Sequence, residues 1–547
     1  MKLRHAFVFA LHASLAFAAP SSNKVTVTLD KGVFSGTTDG TVTKFLGIPY
    51  AQPPVGDLRY RLPVSHGPYN GSFDATKFGQ SCTQINRKFP DVPSNISRTI
   101  VDYLNHTVYA IAEPNGEDCL TINVMSPVVP FTDTLLPVVV WFHGGAFEFS
   151  GSSLYDGSNI IKRSIALGEP ILYVSMNYRL GGFGFMGGDA LRQAGVGNVG
   201  LWDQRLALQW VNKYISDFGG NPDKVTIWGQ GAGAFSVGSH LISNGGNTGG
   251  LFHAAFMQSG APSPFGFMDN VHGQRYWEAV ASELCPTAKD KVECMRQVPH
   301  DTLEAAINGQ PNIFSWESIT QSWWPRSDGI FLTNTAQELV AQNQVAPVPI
   351  VIGDVDDEAT LFAFSNLNIT SSTLLGSYAH SNFPFIQPQE LAQLLGAHNP
   401  TPTDGSPFDT GTANADVAPE FKRESAAKGD LFNHGPRRFF IQQVYNKQPC
   451  WSYLSKRFKH TPYLGSYQGS DLPMVYDKGE LQDYLINFVN NFDPNGQQLF
   501  NWPKYNIDNL ALLTLYDGPD TLMNITTDNY RNVSIQTDIY LALKYPM

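Results

Sequence analysis

The chain is short of charge and of long apolar runs. Only 15% of its 547 residues are Asp, Glu, Lys or Arg, against about a quarter in typical soluble domains. After the N-terminal twenty residues, no stretch reaches the roughly eighteen uninterrupted apolar residues that a membrane span needs. The C-terminal segment lacks an apolar tail of the length a lipid anchor requires. We therefore expect no integral membrane span and a polar surface of low charge density.

Positive charge is the scarcer sign, with 36 Lys and Arg residues against 48 Asp and Glu residues and a net charge of −12. An acidic surface repels polyanions, so nucleic acid is not expected as a partner. No group of His, Cys and Asp residues has the spacing of metal ligands. The glycine-rich segment Gly229–Gly233 lacks the Lys-Ser/Thr pair of a phosphate-binding loop. The sequence thus predicts no metal and no cofactor.

The N-terminus has the pattern of a secretory signal over Met1–Ala19. Lys2 and Arg4 precede an apolar run that ends in small residues, as a cleavable signal does. The pattern predicts a secreted, extracellular protein whose residues 20–547 form one large domain. It also predicts a glycoprotein with its N-x-Ser/Thr sequons at the surface. The sequons are at Asn70, Asn95, Asn105, Asn368, Asn524 and Asn532.

Cysteine is rare, at five residues, and secretion favours disulfides between them. Cys285 and Cys294 are close enough in the chain to close a small loop, and Cys82 and Cys119 bracket a longer one. Cys450 is then left over, and we expect its thiol to be buried beside an aromatic strand, with a reactive thiol as the alternative.

Strand and helix patterns alternate along the chain. Short, uniformly apolar runs are typical of strands buried on both faces of a parallel sheet; they occur at residues 137–142, 171–176, 225–228 and 348–352. The segment 201–211 has apolar residues at helical spacing. The alternation predicts an α/β fold with a doubly wound sheet, and the Pro/Gly-rich segment 398–418 is expected to be a loop within it.

The turn that is most informative about function has a glycine at its centre. Residues 225–236 read as a buried strand, a sharp turn and a helix start, the context of the G-x-S-x-G nucleophile elbow. Gly231 occupies the position of the serine.

Ordered motifs along the whole chain give it a family resemblance. It resembles the type-B carboxylesterases and lipases, the cholinesterase-like branch of the α/β-hydrolases, and most of all their secreted fungal members. The motifs are Phe45–Ala51, Glu117–Leu120, His143–Phe147, Asn177–Arg179, Gly197–Asp203, Phe218–Pro222 and Gln258–Gly260. The resemblance implies an α/β-hydrolase fold in a single large domain, with a large, mostly parallel central sheet flanked by helices. It also implies a disulfide-closed flap over the active site within residues 83–118, bearing Asn95 and Asn105.

The same resemblance assigns catalytic positions. Ester hydrolysis needs a serine, a histidine base, an orienting acid and an oxyanion hole. Glu358 matches the acid, although Ala359 follows it where the family has glycine. Gln468 stands in the histidine's position and has no proton to exchange near neutral pH.

The oxyanion donors are retained in the sequence, as the backbone N–H groups of Gly144, Gly145 and Ala232. Two other candidates are expected to lie away from them: Ser236, further along the helix, and His460, upstream of the Gln468 loop. Glu358 is expected to be the one functional acid of a solvated loop that also holds Asp354, Asp356 and Asp357, whose spacing is not that of an EF-hand.

Three functions remain open. The first is a pseudo-esterase without catalysis, which binds an apolar small molecule, an ester-like ligand or a protein partner. The second is a non-hydrolytic enzyme, such as a cyclase, lyase or isomerase, that uses Glu358 and the oxyanion hole. The third is a weak residual ester hydrolase in which water occupies the serine's place.

Overall fold

The computed structural model describes residues 23–86, 90, 113–128, 134–262, 265–497, 499–518 and 522–547. The predicted signal Met1–Ala19, the sequons at Asn95 and Asn105, and most of the predicted flap lie outside the described residues. Within them, no helix has the length and apolar character needed to cross a bilayer.

Fifteen strands are found in the described ranges: β1 Asn23–Leu29, β2 Lys31–Thr38, β3 Val42–Pro49, β4 Asn70–Asp74, β5 Ser81–Cys82, β6 Asn115–Gly116, β7 Thr121–Pro127, β8 Leu136–Phe142, β9 Leu172–Met176, β10 Gly220–Gln230, β11 Ala254–Gln258, β12 Ile350–Val355, β13 Cys450–Lys456, β14 Ala511–Tyr516 and β15 Met523–Thr527. Thirteen of them form one sheet in the order β1-β2-β3-β7-β9-β8-β10-β11-β12-β13-β14-β15, with β4 beside β2. The seven strands from β9 to β14 in this order are parallel. Antiparallel strands flank them on both sides.

Helices connect and cover these strands: α1 Ser158–Leu167, α2 Gly181–Phe185, α3 Asp189–Gln193, α4 Val199–Tyr214, α5 Ala232–Ile242, α6 Val271–Leu284, α7 Lys291–Gln297, α8 His300–Asn308, α9 Ala336–Ala341, α10 Thr360–Ala363, α11 Ser372–Asn382, α12 Pro388–Ala397, α13 Phe421–Gly429, α14 Gly435–Val444, α15 Pro473–Tyr476, α16 Glu480–Asn491 and α17 Asn532–Lys544. One π-helical turn, Asp430–His434, joins α13 to α14.

The core lies on both faces of the sheet. Along β8, Val138 and Val140 pack into one apolar cluster, whereas Val139 and Trp141 pack into the other. This alternation follows from the two-residue period of a strand. Uniformly apolar runs therefore do mark the central strands, and the predicted mostly parallel sheet flanked by helices is confirmed.

The cysteine predictions are confirmed. Disulfides join Cys82 to Cys119 and Cys285 to Cys294, and Cys450 is a buried free thiol at the start of β13. Asparagines of four sequons are exposed, namely Asn70, Asn368, Asn524 and Asn532. Their glycosylation stays a prediction.

Candidate functional site

Loops at the carboxyl ends of the central parallel strands meet around one pocket. Ligands of open α/β sheets bind at this edge. Gly145 follows β8, Gly231 follows β10, and Gln468 comes from the long connection after β13; all three line the pocket. Glu358 follows β12 but is not among the lining residues, where its neighbour Ala359 appears instead.

The turn after β10 is a sharp elbow. Gly231 has φ 53° and ψ −121°, a conformation that glycine adopts far more readily than other residues. Its N–H donates to the carbonyl of Gln258 at 2.9 Å, and its carbonyl accepts from the Phe235 N–H at 2.9 Å. Ala232 opens α5, where the first N–H groups have no acceptor within the helix. The elbow thus presents backbone donors to the pocket.

The elbow has room for a side chain. A Cβ atom built on Gly231 would lie 3.5 Å from Nε2 of Gln468, its nearest neighbour and an ordinary van der Waals contact. Positions 231 and 468 are far apart in the sequence, but they are therefore adjacent across the pocket.

The loop after β8 approaches the elbow closely. A Cβ on Gly144 would lie 2.7 Å from the Gln230 carbonyl oxygen, and one on Gly145 would overlap the carbonyl of Phe149. Gly145 also has a φ of 109°. Its carbonyl accepts from the Glu148 N–H at 2.9 Å, which fixes the turn. Both positions admit only glycine, so the loop backbone reaches the pocket wall.

Glu358 lies behind this wall and is 1% exposed. Its Oε1 accepts from the Val355 N–H at 2.9 Å. The Ser259 hydroxyl favours the ionised carboxylate, but Oε2 makes no hydrogen bond of ordinary geometry to any described residue. Burial, followed by repulsion from Asp354, raises the pKa of Glu358 well above its ordinary value. The result is a carboxyl group that gives up its proton less readily than an ordinary glutamic acid.

The expectation of a solvated acidic loop around Glu358 is wrong. Asp354, Asp356 and Asp357 are all at most 1% exposed. Asp354 accepts from the Arg437 guanidinium at 2.7 Å, and Lys459 Nζ lies 2.6 Å from both Asp356 and Asp357. The cations come from segments about a hundred residues further along the chain, where sequence spacing gives no sign of the pairing.

Gln468 is half-buried and makes no hydrogen bond to Glu358 among the described residues. The preceding residue, Tyr467, pairs with Asp357 in an isolated β-bridge, which holds this loop against β12. The other two candidates lie elsewhere, as expected. The Ser236 hydroxyl is fully buried and accepts from Gln204 at 2.9 Å, and His460 is exposed.

Several pocket residues were not singled out from the sequence, among them Gln230, Trp324 and Lys428. Gln230 directly precedes Gly231, so its place in the elbow could have been noticed. Trp324 and Lys428 also line the pocket, and no local pattern marks them. Lys428 pairs with Glu424 at 2.6 Å, and burial raises the pKa of Glu424 to about 7.

A buried cluster of metal-binding residue types lies away from the pocket. His398, Asp430 and Asp538 bring their ligand atoms within 4.8 Å of one another. His398 Nε2 is 3.1 Å from Asp538, and the Arg531 guanidinium is 2.9 Å from Asp430. These protein partners already balance the two carboxylates, and the arginine would repel a cation. A partly exposed group, His300, Asp301 and Glu304, is also close together.

The sheet, the elbow and the flanking loops define an α/β-hydrolase fold. The model of the carboxylesterase family matches residues 22–533, and the chain belongs to that family. It is 39% identical to Lipase 2 of Diutina rugosa, over 94% of this chain and 97% of the relative. It is 38% identical to Secreted lipase 1 of Botryotinia fuckeliana, over 98% of each. Among solved structures it is similar to EstA of Aspergillus niger, with a TM-score of 0.79 and 25% identity over 96% of this chain and 99% of that one.

Proposed function

We propose that this chain is a secreted, non-catalytic member of the carboxylesterase family that binds an apolar small molecule in the pocket. The observation that carries the proposal is the pairing of positions 231 and 468. A Cβ at 231 would touch the Gln468 amide at 3.5 Å, so the two positions have the contact that a nucleophile and its base require. Glycine has no nucleophilic atom, and a neutral amide accepts no proton near neutral pH.

The free Oε2 atom of Glu358 supports the same interpretation. In a hydrolytic relay the acid orients the base through a hydrogen bond. Here Oε2 has no partner of ordinary geometry in the described part of the chain, and Gln468 does not supply one. The signal-like N-terminus and the name of the Botryotinia relative support secretion.

Apolar walls indicate the class of ligand. Phe235, Ile313 and Phe362 line the pocket. A second cavity shares Ile319, Lys428 and Phe432 with it. Contiguous apolar walls of this kind suit a small organic molecule better than a peptide segment of a protein partner.

A non-hydrolytic enzyme is the second candidate, favoured by the raised pKa of Glu358. A neutral carboxyl group can donate a proton to a carbonyl substrate. However, Glu358 is not among the residues that line the pocket, so a substrate there meets Ala359 and Gln468 first. If this candidate holds, Glu358→Gln abolishes turnover of a carbonyl substrate. A residual hydrolase, the third possibility, lacks a base at position 468.

Hydrolysis of p-nitrophenyl esters by four secreted forms tests the proposal: wild type, Gly231→Ser, Gln468→His and the double variant. We expect activity only in the double variant, because loss of either the serine or the histidine from the relay of subtilisin costs about 10⁶ in kcat. A fluorophosphonate probe should label the double variant and leave the wild type unlabelled. Labelling or steady hydrolysis by the wild type would overturn the proposal. A correctly folded but inactive double variant would contradict an intact pocket.

A further inference from the structure

A buried lysine, Lys428, lies at the wall that the pocket and the second cavity share. It is 3% exposed and lines both spaces. Among the described residues that line either of them, it is the only lysine or arginine. The second cavity is also lined by Glu424 and by His398 and Asp538, of which the last two pair with each other at 3.1 Å. Since lysine is rarely buried this far unless it is paired, its partners decide its chemistry.

The amine of Lys428 lies against the second cavity. Its Nζ is 2.6 Å from Oε1 of Glu424 and 5.0 Å from the centre of the Tyr378 ring, and both of these residues line that cavity. The amine also donates a hydrogen bond to the Asn366 amide oxygen. Because two of these three partners belong to the cavity wall, a molecule in the cavity comes within reach of the amine.

Burial brings this ion pair close to neutrality. The Glu424 side chain is 1% exposed, and burial raises its pKa to about 7. Burial also lowers the pKa of Lys428, against the opposing effect of the Glu424 charge. Apolar surroundings disfavour the charged form of both groups, so transfer of one proton across the 2.6 Å contact leaves a neutral amine beside a neutral acid. A neutral amine is a nucleophile.

We propose that Lys428 binds an aldehyde or ketone with an apolar tail as a reversible imine, and that Glu424 carries the protons of this step. The inference rests on the proposed function and names its ligand class, since the tail needs the same apolar space. Leu375, Phe383 and Leu394 line the second cavity and give the tail an apolar wall. Burial of a lysine in an apolar cavity is one way in which proteins activate its amine toward a carbonyl carbon.

The imine forms without any further reactant. The lone pair of Lys428 Nζ attacks the carbonyl carbon, the carbonyl oxygen takes the proton of the Glu424 acid, and the nitrogen returns one of its own protons to the carboxylate. The hydroxyl of this adduct then takes the Glu424 proton and leaves as water, while the nitrogen lone pair forms the C=N bond. The nitrogen passes its last proton to Glu424, which ends in its starting form.

Reductive trapping of the full chain tests the inference. Octanal is added at neutral pH with excess sodium cyanoborohydride, which reduces an imine to a stable secondary amine, and peptide mapping locates the octyl groups. We expect Lys428 to be labelled about tenfold faster or more than exposed lysines, because an ordinary lysine with a pKa near 10.4 has only about one neutral amine in 2,500 at pH 7.

Lys422 is the matched control. It lies on the same helix, α13, is also 3% exposed, and burial lowers its pKa too. Its Nζ donates to the Pro407 carbonyl at 2.8 Å, and it lines neither the pocket nor the second cavity. Lys422→Met should keep the label on Lys428, whereas Lys428→Met should lose it. If Lys428→Met does not fold because Glu424 is left unpaired, the double variant with Glu424→Leu removes both charges together and should also lose the label.

Glu424→Gln tests the proton carrier. The amide keeps the shape of the acid but holds no exchangeable proton near neutral pH. Loss of the carboxylate by itself favours the neutral amine, so slower labelling of Lys428 reports the loss of the carrier and not a weaker nucleophile. We expect labelling to slow by about tenfold or more. Unchanged or faster labelling would overturn the role of Glu424.

Calorimetric titration with 1-octanol, which has the tail but no carbonyl group, separates this inference from the proposed function. If octanol binds and Lys428 is labelled no faster than Lys422 or the exposed lysines, the imine is overturned and the proposed function stands. If octanol does not bind and Lys428 is not labelled, both are overturned. Labelling of Lys428 without octanol binding would overturn the apolar wall as the site of the tail.

Discussion

A serine at position 231 should destabilise the protein mainly through backbone strain. The native φ of 53° with ψ of −121° is readily adopted by glycine, and other residues held in such regions pay about 1–3 kcal/mol. Packing adds little, because the nearest atom to a new Cβ, Nε2 of Gln468, is 3.5 Å away. A hydrogen bond from that amide to the serine hydroxyl would return about 1 kcal/mol. We therefore expect Gly231→Ser to lower the free energy of unfolding by about 1 kcal/mol, and by no more than about 2 kcal/mol.

Denaturant unfolding of the secreted protein, followed by tryptophan fluorescence, measures this change. Gly396→Ala is the control, because Gly396 lies in α12 with nothing within 4 Å of a built Cβ and without a positive φ. Alanine there should stabilise the helix by about 0.5–1 kcal/mol. If Gly231→Ser is as stable as the wild type, the elbow is not strained and the reasoning is refuted. A loss well beyond 3 kcal/mol would show that the elbow has no room for a side chain.

Three further changes test the surroundings of the site. Burial raises the pKa of Glu148 well above its ordinary 4.5, so the wild type should lose stability as the pH rises above 4.5. The free energy of unfolding of Glu148→Gln relative to the wild type should therefore increase by up to about 1.4 kcal/mol per pH unit. Unfolding both proteins at pH 5 and pH 8 checks this, and a difference between them that is the same at both pH values would contradict it. Arg437→Met should cost about 3–5 kcal/mol by leaving the buried Asp354 without its guanidinium partner, although Asp528 keeps Arg438. Arg192→Met, at an exposed ion pair, should change little in the same unfolding assay. Two double Cys→Ser variants test the disulfides: by loop-closure entropy, loss of Cys82–Cys119 should cost about 3.9 kcal/mol and loss of Cys285–Cys294 about 2.7 kcal/mol. The variant without Cys82–Cys119 should therefore have the lower melting temperature. The reverse order would contradict the entropic account.

Local patterns were sufficient to predict four of the seven central parallel strands, because these strands are apolar on both faces. Four of the predicted runs correspond to β8, β9, β10 and β12. The antiparallel strands at the edges, and β4 Asn70–Asp74 beside β2, carry no such run, and β4 is largely exposed. The pairing of β4 depends on contacts with β2 that the local sequence does not encode.

The positions of the site were predictable from motifs, but its electrostatics were not. Gly231, Gln468 and the glycines after β8 all line or approach one pocket, as expected. The burial of Asp354, Asp356 and Asp357 was missed because their partners, Arg437 and Lys459, come from distant segments. Long-range charge pairing has no periodicity, whereas strands, helices and turns do.

The backbone conformation of the elbow is fixed by contacts with adjacent backbone segments, so the shape of the pocket does not depend on the side chain at position 231. A Cβ on Gly233 would overlap the Phe142 carbonyl, and one on Gly229 would overlap the backbone of Gly233, so strand β10 and helix α5 are held together by glycines on either side of the turn. The Gly231 N–H is fixed by the Gln258 carbonyl at 2.9 Å, whatever side chain stands there. Since the backbone donors of the pocket belong to this frame, their positions require neither a nucleophile at position 231 nor a base at position 468. The same frame is what would let a serine and a histidine function if they were introduced together at positions 231 and 468.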